Sequence, residues 1–360
     1  MRKRRSCGTV LVADRPEETP GAPRIVIAGA GSIGCFLGGL LALAGHPLRL
    51  LVRPRIAAEL RGHGLTLTDL DGMAVSLPAE ALGLSENPAC LAGAEVVLVT
   101  VKTRDTPAIA REIDRHAPRG AIIVSLQNGI GNAEILRRHL PAHDVRAGMV
   151  SFNVVPLGEG GYHRAVEGAI VIEAGPGDLA RRLSVPGLSV SESRDIEAVQ
   201  WGKFLINLNN ALNALSGLPL QRQLHDRAWR RLMADQWAEA LAVLQAHGLR
   251  PLSTTPVSVA MVPSVLRLPT WAFKRAAARM LRIDPQARTS MAYDLMQGRP
   301  TEVDALQGEV VRLARAVGLP APINAMVLDV LRSAEIAGEG LPDLSPAALR
   351  AELKATRRTS

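Results

Sequence analysis

The chain has 360 residues, 47% of them apolar and 21% charged, with a formal net charge of +8. That length suits about two domains, and the balance is that of an ordinary soluble globular protein. The basic residues are scattered and aromatics are only 3% of the chain, so no stacking platform for nucleic acid is visible and the charge suits anionic small molecules. Cys7, Cys35 and Cys90 are far apart and odd in number, which excludes a disulfide scaffold and points to a reducing compartment, the cytoplasm. His139 and His143 stand four apart, but Pro141 breaks the helix that would align them, so no metal site is expected.

Residues 1–23 read as a disordered tail, basic at its start and rich in Pro, Glu and Gly at its end. The organising stretch is Arg24 to Arg53. A strand-like run, Ile25 to Ala28, is followed by Gly29, Gly31 and Gly34 in the spacing GxGxxG, then by an Ala/Leu-rich helical segment and a second apolar run, Leu48 to Val52. Strand, turn, helix and strand within about 30 residues is the context that makes the glycines a dinucleotide-binding turn, with Ser32 and Ile33 opening the helix that faces the phosphates. A glycine-rich helix contact or a membrane span are the competing readings, since no residue from Ile25 to Leu48 is charged. Six glycines, His46 and Pro47 argue against a span. The second strand ends in Arg53, Pro54 and Arg55, with no carboxylate to bind a ribose hydroxyl. Two guanidiniums suit a 2′-phosphate, hence NADP(H); the plainer alternative for Arg53 is a solvated loop arginine.

Strand-like alternation follows at Gly64 to Leu67 and Met73 to Leu77. Glu95 to Lys102 is a buried strand with Lys102 and Thr103 at its carboxyl end, where open α/β sheets bind ligands. Asp105 to His116 suits a helix. Ala121 to Gln127 is another strand, leading to Asn128, which either touches ligand or serves an Asn-Gly turn. Two strand-like runs between Arg146 and Ile172 flank Gly158, Gly160 and Gly161 and predict a hairpin closing the first domain. Val185 to Ser191 is a last strand or a linker. From about Ile196 helical periodicity takes over, with helices expected over 196–216, 223–247, 302–317 and 322–336 and with Gly248, Gly318 and Gly338 at their ends. Residues 250–290 carry no clear assignment.

Within 196–216, Lys203, Asn207 and Asn210 fall on one helix face. A lysine beside Phe204, Leu205 and Ile206 is expected to be desolvated, which lowers its pKa toward that of a proton donor; the alternative is a lysine snorkelling to solvent. Glu302 and Asp304 suit a helix N-terminus through the dipole, which would account for both without catalysis.

GAGSIG at Gly29 to Gly34, VTVK ending at Lys102, QNG at Gln127 to Gly129, WGKFLIN at Trp201 to Asn207, and GRPTEVDALQG at Gly298 to Gly308 occur in this order. Together they resemble the ketopantoate reductase (2-dehydropantoate 2-reductase) family over roughly residues 24 to 336. The resemblance implies an α/β fold, an N-terminal Rossmann-type dinucleotide-binding domain followed by an all-helical C-terminal domain, and NADPH-dependent reduction of a 2-keto acid to a 2-hydroxy acid. It makes Lys203 the general acid and Glu302 a catalytic residue that hydrogen-bonds the substrate hydroxyl beside the cofactor. Ser290 would hold the substrate carboxylate, Asn207 the substrate, and Asn128 both nicotinamide and substrate. Arg53 and Lys102 would hold the cofactor with Gly29, Gly31, Ser32, Ile33 and Gly34.

In that pattern a second helical asparagine falls eight residues after the lysine; Ala211 stands there and Asn210 precedes it, so a local shift is expected. The SGLPL stretch after the helix is apolar where some members carry a further asparagine, and residues 250–285 look longer than in compact members. The expected division is a tail over 1–23, an NADP-binding domain over 24–193 and a helical substrate domain over 194–350, with a ligand cleft between the last two. The expected reaction is ketopantoate to pantoate in pantothenate and coenzyme A biosynthesis. Reduction of another 2-keto acid and a non-catalytic NADP(H)-binding regulator are the alternatives, the last disfavoured by intact Lys203 and Glu302. The expected partner is a small-molecule 2-keto acid, with no nucleic acid and no membrane; a homodimer stays open.

Overall fold

The computed structural model describes residues 11–12, 18–254, 257–278 and 281–359. The chain forms two compact units, Met1–Ile196 and Glu197–Ser360. The first unit runs β1 (Leu11–Val12), β2 (Ile25–Ala28), α1 (Ser32–Leu43), β3 (Leu48–Leu51), α2 (Pro54–His63), β4 (Leu65–Asp69) and β5 (Ala74–Leu77). It continues through β6 (Leu84–Ser85), β7 (Val96–Val99), α3 (Thr106–His116), β8 (Ile122–Ser125), α4 (Asn132–His139) and β9 (Asp144–Val150). It ends with β10 (Val154–Gly158), β11 (Gly161–Arg164), β12 (Ile170–Glu173), α5 (Leu179–Leu183) and β13 (Val190–Ser193).

The main sheet has the order β13-β12-β9-β8-β7-β2-β3-β6. Its neighbours are parallel apart from β9 and β12. Unbroken β-branched runs are what such a sheet needs, because helices cover both faces. Ile25 and Ile27 enter one apolar cluster with α1, while Val26 and Ala28 enter another with α3. α1 lies unusually close to its surroundings. A Cβ at Gly38 would stand 2.4 Å from Leu50, and one at Gly39 would stand 2.7 Å from Leu67. Two glycines lower helix propensity by roughly 1 kcal/mol each, and here they let one helix pack on two sheets.

The second sheet has the order β1-β5-β4-β11-β10. The hairpin expected about Gly158, Gly160 and Gly161 is present as β10 and β11, but it belongs to this sheet, and the region from Arg146 to Ile172 holds parts of four strands, not two. β10 and β11 pair across Gly158 to Gly161 and join β4 through β11, while β9 and β12 stay in the main sheet. The expected tail also needs correction. Much of it lies outside the described residues, but Thr19 is tied to the end of α1, its N–H donating to the Gly45 carbonyl at 2.9 Å and its hydroxyl to the Ala44 carbonyl at 3.0 Å. α2 and α4 are short amphipathic helices that the run-by-run hydropathy does not separate from loops.

The second unit, among the described residues, contains only helices. They are α6 (Ile196–Asn207), α7 (Asn209–Ser216), α8 (Leu220–His225), α9 (Arg227–Ala246), α10 (Val262–Arg267), α11 (Thr270–Ala276) and α12 (Ser290–Met296). α13 (Glu309–Ala316), α14 (Pro322–Ala337) and α15 (Pro346–Thr359) complete it, with a π-helical turn over Asp304–Gly308 before α13. Two expected helices are each divided. The 196–216 helix passes from α6 to α7 at Leu208, and Asp226 starts a new helix within 223–247 by accepting the Ala228 N–H at 2.7 Å. No helix among the described residues is long and apolar enough to cross a membrane.

Part of the unassigned 250–290 stretch is held by one buried cation. Arg230 is fully buried on α9. Its guanidinium donates to the carbonyls of Leu224, His225, Leu266 and Leu268 at 3.0–3.1 Å and lies 4.3 Å from the Phe273 ring centroid. α10 and α11 are thereby pinned to α9. Arg230→Met is expected to leave several of these carbonyls without a donor, at roughly 1–3 kcal/mol each where they stay dry. A lowered Tm and faster amide exchange across 262–277 than across α14 would check this.

Candidate active site

The first unit presents its candidate residues at one sheet edge. β2 sits between β3 on one side and β7 on the other, the kind of switch point at which open α/β sheets bind ligands. Register pairs Ala28 with Leu51 and with Val99, and Val99 with Ser125. Gly29, Arg53, Lys102 and Asn128 therefore all follow strand ends on that edge.

Gly29 has φ +91°, and a Cβ there would lie 2.2 Å from Val101 Cγ1, so only glycine fits. The Thr100 hydroxyl donates to the Gly29 carbonyl at 2.9 Å and holds the turn. Gly31 has nothing within 4 Å of its Cβ position and begins α1 without a side-chain cap or an acidic first turn. The first N–H groups of a helix have no intrahelical acceptor, so the turn through Ser32 and Ile33 offers donors and open space to an anion. Gly34 seats the helix on the sheet, its Cβ position 2.7 Å from Thr100 Oγ1 and 2.9 Å from Ile27 Cγ2. These residues fit a pyrophosphate.

Arg53 stands at the N-cap of α2 with its side chain 73% exposed, and its Nη2 donates to Asp105 Oδ2 at 2.7 Å. The sequence shows no carboxylate near Arg53, but Asp105 brings one there from the loop after β7. Strand register puts the two loops side by side, and no local motif signals it. Lys102 is exposed and begins the short turn Thr103–Asp105.

Asn128 is exposed, and its loop is fixed from beneath. The buried Gln127 side chain donates to the Val101 carbonyl at 3.1 Å and to Thr106 Oγ1 at 2.7 Å. Asn132 Nδ2 donates to the Asn128 carbonyl at 2.9 Å. Gln127, Thr106 and Asn132 are the supports that sequence reasoning passes over. Buried polar side chains at a sheet edge are their signal.

In the second unit Lys203 and Asn207 lie one turn apart on α6, and Asn210 lies just beyond it on α7. Leu208 between the two helices keeps helical backbone, φ −57° and ψ −29°, and donates its N–H to the Phe204 carbonyl at 3.2 Å. Asn207 is buried, while Lys203 and Asn210 are half-buried. Burial pushes the Lys203 ammonium down to about 8 from the ordinary 10.5. The neighbouring Gly202 permits close packing: a Cβ there would fall 1.7 Å from the Leu252 carbonyl oxygen. Leu252 in turn donates its N–H to the Ala198 carbonyl at 2.8 Å.

Ser290 opens α12, which α7 holds through Thr289. The Thr289 N–H donates to Asn213 Oδ1 at 3.0 Å, and its hydroxyl donates to the Asn210 carbonyl at 3.0 Å. Asn213, fully buried, ties Ser290 to the helix of Asn210 and carries no role in the sequence analysis. Glu302 is half-buried beside Thr301. The capping expected of the two carboxylates falls partly to others: the Thr301 hydroxyl accepts the Val303 N–H at 3.2 Å, and Glu335 accepts the Thr301 N–H at 2.7 Å. Asp304 accepts from Arg332 Nε at 2.9 Å. Cys35 is inert, its thiol pushed up to about 12 by burial.

A phosphate-cradling turn in one unit and a desolvated lysine in the other belong to a dinucleotide-dependent oxidoreductase. Comparison with known proteins gives the family. Residues 25–177 match the model described as "Ketopantoate reductase PanE/ApbA", and residues 195–335 match "Ketopantoate reductase PanE/ApbA C terminal". The chain belongs to the ketopantoate reductase family. It is similar to the 2-dehydropantoate 2-reductase of Halobacterium salinarum, with 29% identity over 87% of this chain and 99% of that protein. It is also similar to the solved PanE/ApbA family ketopantoate reductase of Ralstonia eutropha JMP134. There the identity is 30% and the TM-score 0.70, over 88% of this chain and 99% of the other. The 2-dehydropantoate 2-reductase structure from Geobacter metallireducens GS-15 is 25% identical with a TM-score of 0.71, over 86% and 99% of the two chains.

The lysine has a stability consequence. Its folded pKa of about 8 lies below the ordinary 10.5, so between these values the unfolded chain binds the extra proton and stability rises with pH. Lys203→Met is expected to stabilise the fold at pH 7 by up to roughly 3 kcal/mol. That gain should vanish above about pH 10.5, as denaturant midpoints of the two proteins across pH would record.

Proposed function

We propose that the protein reduces ketopantoate to pantoate with NADPH, in pantothenate and coenzyme A biosynthesis. The observation that carries this is the Lys203 ammonium, half-buried and with its pKa lowered by desolvation. The nicotinamide cofactor, when bound, supplies the hydride. Gly29, Gly31, Ser32, Ile33, Gly34 and Lys102 would hold its phosphates, and Arg53 its 2′-phosphate. Lys203 would give its proton to the ketone oxygen, where negative charge develops. An ammonium there stabilises the transition state more than the ground state, because the oxygen is neutral before reaction. Asn128, Asn207 and Asn210 would hydrogen-bond the substrate, Ser290 would bind its carboxylate, and Glu302 would accept from its hydroxyl.

A second reading of the cofactor rests on Asp105. A carboxylate beside Arg53 could accept from a free ribose 2′-hydroxyl, which would favour NADH.

Turnover is measured by cofactor absorbance with ketopantoate and a panel of other 2-keto acids. Ketopantoate is expected to give the highest kcat/KM; another acid in that place would change the substrate. NADPH binding without turnover on any of them would indicate a regulator. The rate is expected to fall as pH rises through about 8, where Lys203 loses its proton. Lys203→Ala should lose about 10²-fold in kcat, the size of a general-acid contribution; full activity would remove lysine from the reaction. Arg53→Ala should weaken NADPH far more than NADH. Equal weakening would select the Asp105 reading.

A further inference from the structure

Two features of the second unit are joined by one side chain. The helix carrying Lys203 and Asn207 passes at Leu208 into α7, which carries Asn210. The segment following Glu302 adopts a π-helical turn over Asp304–Gly308, a rare form that gathers at functional sites. Gln307 projects from that turn, fully buried, and its Nε2 donates to the Leu208 carbonyl at 2.8 Å. The amide cannot be turned over, because oxygen would then face oxygen. The Leu208 backbone stays helical, at φ −57° and ψ −29°, with its N–H donating to the Phe204 carbonyl at 3.2 Å, so the amide grips the chain where α6 passes into α7.

The other end of the amide is informative. Gln307 Oε1 is buried and has no hydrogen-bond partner among the described residues. Native interiors rarely leave such an acceptor unpaired. The donor end alone is engaged, and its one partner is the carbonyl between α6 and α7.

We infer that Gln307 is a positioning residue, whose amide ties Leu208, between the Lys203 and Asn207 helix and that of Asn210, to the turn that follows Glu302, and so holds Lys203 and Asn207 in place. This rests on Lys203 as proton donor. The test uses the full chain with the 2-keto acid it turns over fastest, comparing wild type, Gln307→Leu, Gln307→Asn and Lys203→Ala. Leucine removes the donor, and asparagine keeps the amide but shortens its reach. In both Gln307 variants kcat should fall about tenfold or more while KM for the cofactor changes by less than about twofold, the split expected when a group acts in the transition state alone. The alkaline fall in kcat should move up from about 8 toward the ordinary lysine value of 10.5, because the ammonium leaves its dry seat.

Wild-type kcat and an unmoved alkaline midpoint in both variants, with Lys203→Ala inactive, would overturn the role of Gln307 and leave that of Lys203. Full turnover by Lys203→Ala would overturn both. Should Gln307→Leu not fold, Gln307→Asn decides by the same two readouts.

Discussion

A lysine ammonium desolvated by burial is the constraint on which the helical unit's chemistry depends. Charge in such a place is costly unless something outside the resting fold uses it. Gly202, the neighbour of Lys203, lets the Leu252 backbone close over the helix. The same features that make Lys203 unfavourable for stability lower its pKa into the range where it can donate a proton near neutral pH. Perturbed groups of this kind concentrate at sites where chemistry is done, and the match to a reductase family over both units agrees with that.

The first unit solves a different problem, that of bringing a polyanion against backbone. Gly29 and Gly34 let the chain turn and the helix descend onto the sheet, and Gly31 leaves the approach open. Around this fixed turn the side chains are supported in pairs. Thr100 holds the Gly29 carbonyl, and Asn132 holds that of Asn128. Asp105 holds Arg53. The last pair bears on cofactor choice, because a 2′-phosphate and Asp105 would compete for one guanidinium while a ribose hydroxyl would not.

The 250–285 stretch shows how a segment without strong periodicity becomes ordered. Its two short helices could not stand alone, since helices this brief are marginal in water. Arg230 gathers four carbonyls and an aromatic face around one buried guanidinium. Order there comes from a long-range polar contact, which hydropathy along the chain does not register.

Local signals were enough for much of this protein. The strands β2, β3, β4, β5, β7 and β8, the helices α1 and α3, the glycine turn, the change to helix near Ile196 and the desolvation of Lys203 all follow from residues close together in the chain. They are legible because periodicity and turn chemistry act over a few residues. The division of the Arg146 to Ile172 strands between two sheets, the pairing of Arg53 with Asp105 and the reach of Gln307 to Leu208 were decided only by the tertiary structure. Each depends on groups 52 to 99 residues apart, or on which strand edge is left to pair. Hydrogen bonds and strand register are satisfied in space, and distance along the chain does not enter into them.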